Sequence, residues 1–258
     1  MNDDLLLKDF RFASRLILGT GKFSGTDTMV KAIEESGAQL VTVALRRFNK
    51  ERRSDDLYGP LSQLKHVTVV PNTSGARNAG EAVRAALLGR EISRSSFVKV
   101  EIHPNPHHLM PDPIETLEAA QALVKEGFVV LPYTNDDLVV ALRLIDAGAS
   151  AIMPLGAPIG SGMGIQNIPA IRILRERITE VPLIVDAGVG TASDAALAME
   201  LGADGVLMNS AIAGSADPGA MAEAMNYAVK AGRLAFKAGR IPRKLYASAS
   251  SPLDGLIR

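Results

Sequence analysis

Short apolar runs rich in Val, Ile and Leu recur along the chain, each closing on Gly, Pro, Asn or Thr. They fall at Arg15–Leu18, Leu40–Ala44, Val67–Val70, Phe97–Ile102, Phe128–Leu131, Ala151–Pro154, Leu183–Asp186 and Gly205–Met208. Continuous apolar strands without strict alternation belong to a parallel sheet whose outer face is covered. Between most of them the pattern predicts helices: Asp27–Ser36, Ala79–Arg90, Ile114–Glu126, Asp136–Ala147, Ile168–Arg177 and Ala192–Leu201. Asp27 and Ser193 offer N-caps, and Gly37, Gly127, Gly148 and Gly202 offer C-terminal stops. A Gly-Ala step precedes a strand at Gly37-Ala38, Gly148-Ala149 and Gly202-Ala203, the punctuation of repeated βα units. The connection from Arg46 to His66 is charged and loop-like, with at most a short helix around Leu61–Lys65.

Eight such units in about 230 residues, with no break in composition, predict a single (β/α)8 TIM barrel domain spanning 1–258. The alternative is an open doubly wound sheet, which needs fewer strands and a dinucleotide turn marked by Asp or Glu. The Ser- and Pro-rich segment Ile241–Arg258 is expected to wrap the surface or join an oligomer contact.

Composition narrows the class. Lys plus Arg and Asp plus Glu balance at 28 each, so no chain-wide field draws a polyanion, and nucleic acid is excluded as a partner. The acidic start Met1-Asn2-Asp3-Asp4 lacks the basic lead of a signal peptide, and no apolar run approaches the roughly 20 residues of a membrane span. The chain contains no cysteine, which removes disulfides, thiolate metal sites and a cysteine nucleophile, and fits a cytoplasmic setting.

A barrel places its chemistry at the carboxyl ends of its strands, and those positions are polar here. In Phe97-Val98-Lys99-Val100-Glu101-Ile102 the side chains alternate, so Lys99 and Glu101 share one face and the three aliphatics the other. The aliphatic face meets the helices, which turns Lys99 and Glu101 inward. One reading is a self-satisfying ion pair; the other is an amine kept dry to attack a carbonyl, with Glu101 as a proton shuttle. Desolvation favours the neutral amine and the carboxylate favours the ammonium. Asp186, at the end of its strand, is either a helix cap or a second acid/base facing Lys99. Ala187-Gly188-Val189-Gly190, Asn209-Ser210 and Gly160-Ser161-Gly162 stand where barrels bind phosphate on backbone amides.

Other signals lead elsewhere. Gly19-Thr20-Gly21-Lys22 is no P-loop, because Leu16 and Phe23 occupy positions that need Gly and Ser or Thr. Gly160–Gly164 has glycines at alternate positions rather than a dinucleotide fingerprint. The prolines of the His103–His108 segment suit a surface loop better than a metal site. Arg46-Arg47 reads as a solvated or subunit-facing pair, with a substrate role as the alternative.

Several blocks together resemble bacterial thiazole synthase over nearly the whole chain. They are Leu18–Lys22, Val41–Arg47, Pro71-Asn72-Thr73, Val98-Lys99-Val100-Glu101, Ile159–Gly162, Val185–Ala195 and Pro242–Gly255. The resemblance implies an enzyme of thiamine biosynthesis that joins three components to a thiazole phosphate carboxylate. These are 1-deoxy-D-xylulose 5-phosphate, glycine imine (dehydroglycine) and sulfur from the C-terminal thiocarboxylate of a small sulfur-carrier protein. It implies that Lys99 forms the imine with the sugar, that Glu101 and Asp186 move protons, and that Gly160, Ala187, Gly188, Asn209 and Ser210 hold the phosphate. It implies no metal or organic cofactor, and a homo-oligomer is expected. Two departures stand out. Asn72-Thr73-Ser74-Gly75-Ala76 replaces the Asn-Thr-Ala-Gly-Cys of many relatives, and the His103–His108 loop differs from the usual one. A class I aldolase and a non-catalytic phosphosugar-binding subunit are the rival readings; the first would cleave the sugar without consuming sulfur, and the second would form no trappable imine.

Overall fold

The computed structural model describes residues 3–45 and 58–251, so Arg46, Arg47 and the end of the tail lie outside the described residues. The described chain opens on an antiparallel hairpin, β1 (Leu5–Leu7) and β2 (Phe10–Phe12). Strands and helices then alternate: β3 (Leu16–Gly19), α1 (Thr26–Ser36), β4 (Leu40–Ala44), α2 (Tyr58–Gln63), β5 (Thr68–Asn72), α3 (Ala79–Ser93) and β6 (Phe97–Val100). There follow α4 (Pro113–Lys125), β7 (Val129–Thr134), α5 (Leu138–Asp146), β8 (Met153–Pro154), α6 (Ile168–Arg177), β9 (Ile184–Asp186), α7 (Ala192–Glu200) and β10 (Gly205–Met208). A short α8 (Ser210–Ala213) and a 21-residue α9 (Pro218–Ala238) end the folded part.

The eight strands β3 to β10 pair in parallel in the order β8-β7-β6-β5-β4-β3-β10-β9. Parallel bridges Ile152–Leu183 and Leu155–Asp186 join the two remaining edges, so the sheet closes into the expected barrel. Residues 241 to 251 form no helix or strand and are exposed.

The alternation along each strand sorts two cores. Leu18, Val41, Val43, Val98, Val100, Val130, Val185 and Val206 point outward into the layer shared with the helices. Ile17, Leu40, Val70, Phe97, Leu131, Met153, Ile184 and Leu207 fill the barrel interior. Two residues beyond most of those interior positions, on the same face, the side chain turns small or polar: Gly19, Thr42, Asn72, Lys99, Tyr133, Asp186 and Asn209. One register thus divides an apolar floor from a polar mouth.

The hairpin, made of strands too short to read from the pattern, stoppers the other end. Its Leu5, Leu7 and Phe12 belong to the interior cluster. Phe10 and Phe12 set ring edges against Phe97, with centroids 4.9 and 6.0 Å apart. Asp3 ties this end down: its Oδ1 lies 3.0 Å from Arg15 Nη2 and 3.0 Å from Arg233 Nη2. Arg15 also donates to the Asp204 carbonyl at 2.6 Å, and Arg175 pairs with the Asp204 carboxylate at 2.6 Å.

Helix ends follow the expected C-terminal stops, with Gly37, Gly127, Gly148 and Gly202 all at positive φ. The expected N-caps are corrected. Gly25 caps α1, leaving Asp27 in its first turn, and Thr191 caps α7 with Asp194 completing a capping box, leaving Ser193 inside the helix. α2 covers Tyr58–Gln63, beginning earlier than the stretch expected around Leu61–Lys65. Among the described residues no helix is long and apolar enough to cross a membrane.

Candidate active site

At the carboxyl ends of the strands lies a cavity of about 260 Å³, lined by residues of most of the barrel loops. Lys99, Glu101, Asp186, Gly160, Ala187, Gly188, Asn209 and Ser210 all line it. The sequence therefore located the whole candidate set in one place.

Lys99 stands near its centre. Its Nζ lies 2.8 Å from Glu101 Oε1 and 2.6 Å from Asp186 Oδ2, and all three side chains are buried. β6 and β9 stand three strands apart around the barrel, with β7 and β8 between them, so the ammonium spans its interior. Tyr133 of β7 is also buried, its ring centroid 5.6 Å from Nζ and its hydroxyl 3.5 Å from the Leu109 carbonyl. The end of β5 fixes this part of β6. Asn72 pairs with Lys99 in the ladder, and Thr73 Oγ1 both donates to the Glu101 carbonyl and accepts from the Glu101 amide, each at 2.9 Å.

One ammonium between two carboxylates leaves a net negative charge, and the two acids respond differently. Burial pushes both upward. For Glu101 the attraction of Lys99 and hydrogen bonds from His103 and Lys99 prevail and hold it down at about 2. For Asp186 burial and the Glu101 charge prevail over Lys99, and it is raised to about 6. Burial draws Lys99 down, but the two carboxylates outweigh it and keep the ammonium above the ordinary lysine range. The competition left open by the sequence thus falls to charge pairing. Tyr133 is raised, first by burial and then by the two acids.

The phosphate-type loops interlock. Ala187 and Gly188 are consecutive left-handed residues, with φ of 71° and 84°. Their carbonyls accept from Gly156 and Gly164 amides at 3.3 and 2.8 Å, which binds the turn after β9 to the loop after β8. A Cβ on Gly188 would stand 2.3 Å from Ala157 N, so only glycine fits. Asn209 serves the loop after β3: with its amide nitrogen turned to those carbonyls, it donates to Gly19 and Gly21 at 2.9 and 2.7 Å. Ser210 stays at the corner with Gly160, whose missing Cβ would lie 3.7 Å from Ser210 Oγ and 3.5 Å from Lys22 Nζ.

Three residues were missed. Lys22, read only as part of a failed P-loop, brings a cation to that corner. Tyr133 continues the inward face of Val129 and Leu131. His103 is buried in the cavity, 3.6 Å from Glu101 Oε2, whereas His107 and His108 are exposed. The surface-loop expectation thus holds for the last two and fails for the first. The signal was present: His103 follows Lys99 and Glu101 at the same two-residue step.

The model of the thiazole biosynthesis protein ThiG matches residues 6–252. The thiazole synthase of Solibacter usitatus is 57% identical over 100% of this chain and 99% of its own length. That of Geobacter metallireducens is 56% identical over 99% and 98%. Among solved structures, the BexX/CysO complex of Amycolatopsis orientalis matches with a TM-score of 0.84 and 32% identity, over 94% of this chain and 98% of that one. A KDPGal structure, at a TM-score of 0.60 and 15% identity, shares the fold alone. With a full-length family match and full-length relatives above half identity, the chain belongs to the thiazole synthases, the family of the thiazole biosynthesis protein ThiG.

Proposed function

We propose that Lys99 forms the imine with 1-deoxy-D-xylulose 5-phosphate in this thiazole synthase, with Asp186 as its proton acceptor and Glu101 as the fixed negative charge. The observation that carries this reading is the buried Lys99 ammonium held between two acids of unlike basicity. An amine attacks a carbonyl only when neutral. Asp186, raised to about 6 and 2.6 Å from Nζ, is the partner able to take the proton near neutral pH. The freed nitrogen bonds to the ketone carbon, and the carbonyl oxygen gains protons and leaves as water. Amine and ketone thereby give imine and water. Glu101, low in basicity, stays ionised and stabilises the cationic imine.

The sugar phosphate fits the corner of Gly160, Ala187, Gly188, Asn209 and Ser210. The Ala187 amide donates to the Asp186 carboxylate, and the carbonyls of Ala187 and Gly188 are committed to the β8 loop, which leaves the Gly188 N–H as the donor this turn can offer an anion. Lys22 Nζ adds a cation there, while the Asn209 side chain is engaged with the β3 loop and acts through position rather than direct contact. Glycine imine would meet the bound sugar at the mouth. The thiazole ring needs a sulfur atom, and a chain without cysteine has no persulfide to supply it. Sulfur therefore comes from outside, on the thiocarboxylate tail of a carrier protein docked over the mouth. That BexX is solved in complex with CysO supports a protein partner on this barrel.

The test is borohydride reduction in the presence of 1-deoxy-D-xylulose 5-phosphate, followed by mass spectrometry. One substrate mass is expected on the peptide containing Lys99, and Lys99→Arg is expected to fold yet lose both adduct and turnover. An adduct on Lys22, with Lys99→Arg still trapped, would overturn the assignment.

A further inference from the structure

The fold brings Ser74 and His103 together although they are 29 positions apart. Ser74 Oγ lies 3.5 Å from His103 Nε2. The same nitrogen lies 3.6 Å from Glu101 Oε2, while the other oxygen of that carboxylate, Oε1, is 2.8 Å from Lys99 Nζ. We propose that His103, seated by Ser74, is a positioning residue for Glu101. It holds one carboxylate oxygen so that the other stays on the Lys99 nitrogen as that nitrogen becomes a cationic imine. The proposal rests on Lys99 being the imine-forming residue.

Local structure makes the placement firm. The extended run of β6 continues past its last ladder residue: Ile102 bridges Ala76, and the His103 amide donates to the Ala76 carbonyl at 3.3 Å. Inward alternation therefore carries from Lys99 through Glu101 to His103. On the neighbouring loop the Ser74 amide donates to Asn72 Oδ1 at 3.2 Å, fixing the turn that presents Oγ. An imidazole beside a carboxylate carries its proton on the nitrogen that faces it, and a serine hydroxyl beside that same N–H turns its oxygen to accept from it. In a dry pocket such a contact is stronger than in water, and a carboxylate held at one oxygen only is free to swing. Swinging would take Oε1 off the nitrogen just when its charge is needed.

The charged and titratable groups around Glu101 are Lys99 on its own strand, Tyr133 from β7, Asp186 from β9 and His103. Among the described residues only His103 is a donor outside the Lys99–Asp186 pair and the raised phenol, so removing it should act on Glu101 specifically. A positioning role then has a signature that lost packing lacks: an amide N–H supplied at the same point restores the rate of imine formation.

The experiment follows the rate of the borohydride-trapped Lys99 adduct at neutral pH for wild type, His103→Leu, His103→Gln and Ser74→Ala. Leucine fills the space without donating, so the rate is expected to fall about tenfold, the scale of one polar contact to a charged group. Glutamine offers an N–H near the same point and is expected to restore the wild-type rate, and Ser74→Ala to lower it by less. The acid inflection near pH 6 belongs to Asp186 and is expected to stay where it is in all four. An undiminished rate in His103→Leu, or a glutamine variant as impaired as leucine, would overturn the proposal. If His103→Leu fails to fold, Ser74→Ala decides it: a rate equal to wild type would overturn it. Absence of any Lys99 adduct in wild type would instead show that the underlying assignment fails.

Discussion

Asp186 differs from Glu101 by one methylene and by its neighbours, and the neighbours decide its role. Burial and the nearby Glu101 charge raise it to about 6, so it loses its base form as pH falls through that value. Imine formation in the wild type is accordingly expected to weaken below about pH 6. In Asp186→Asn that inflection is expected to vanish, with the rate down by about 10²–10⁴ at neutral pH. Stopped-flow mixing with the sugar phosphate at several pH values checks both. That Lys99 and Glu101 face inward was legible from alternation alone. That Asp186, not Glu101, is the weaker acid was not, because it depends on distances across the barrel that no local pattern records. His103 shows the opposite failure: its prolines, read locally, hid a continuing two-residue step.

Between elements, the glycines after β8 and β9 do unlike work despite their similar appearance in sequence. Gly188 is pressed against Ala157, so the two loops pack backbone to backbone. Gly160 meets only the far ends of Lys22 and Ser210, though its φ of 75° disfavours a side chain. Gly188→Val is therefore expected to pry the loops apart, lowering the melting temperature and weakening phosphorylated and dephosphorylated sugars alike. Gly160→Ala is expected to keep most of the stability, losing about 1–2 kcal/mol to left-handed strain, and to weaken the phosphorylated sugar selectively. Calorimetric melting and titration with both sugars separate the two outcomes. Strands and most helices were legible because an apolar residue, a skip and a polar residue recur from Ile17-Leu18-Gly19 to Leu207-Met208-Asn209. The hairpin β1–β2 was not, since three-residue strands carry too little pattern to stand out from a loop.

Across the whole molecule, the hairpin and the Asp3 cluster join the start of the described chain to α9 and to the turn before β10. Hydrogen bonds from Arg233, outweighing burial, and the charges of Arg15, Arg233 and Lys237 hold Asp3 below the ordinary carboxylate range. Its folded form thus binds a proton less readily than the unfolded chain. The stabilisation is complete above the usual aspartate value of about 4 and fades as pH falls below it. Asp3→Asn is expected to melt about 2–4 °C lower at pH 7, the scale of one partly exposed ion pair in a chain of this length. The gap from wild type is expected to narrow on acidification below about pH 4, as measured by thermal scans. The hairpin also bears on traffic. With Leu5, Leu7, Phe12 and Phe97 packed beneath the Lys99 cavity, the barrel is a dead-end street. Whatever seats deepest must arrive first and depart last, so on the proposed function the sugar phosphate is expected to precede its co-reactants in initial-rate kinetics, and the finished ring to leave only after the visitor at the entrance has withdrawn.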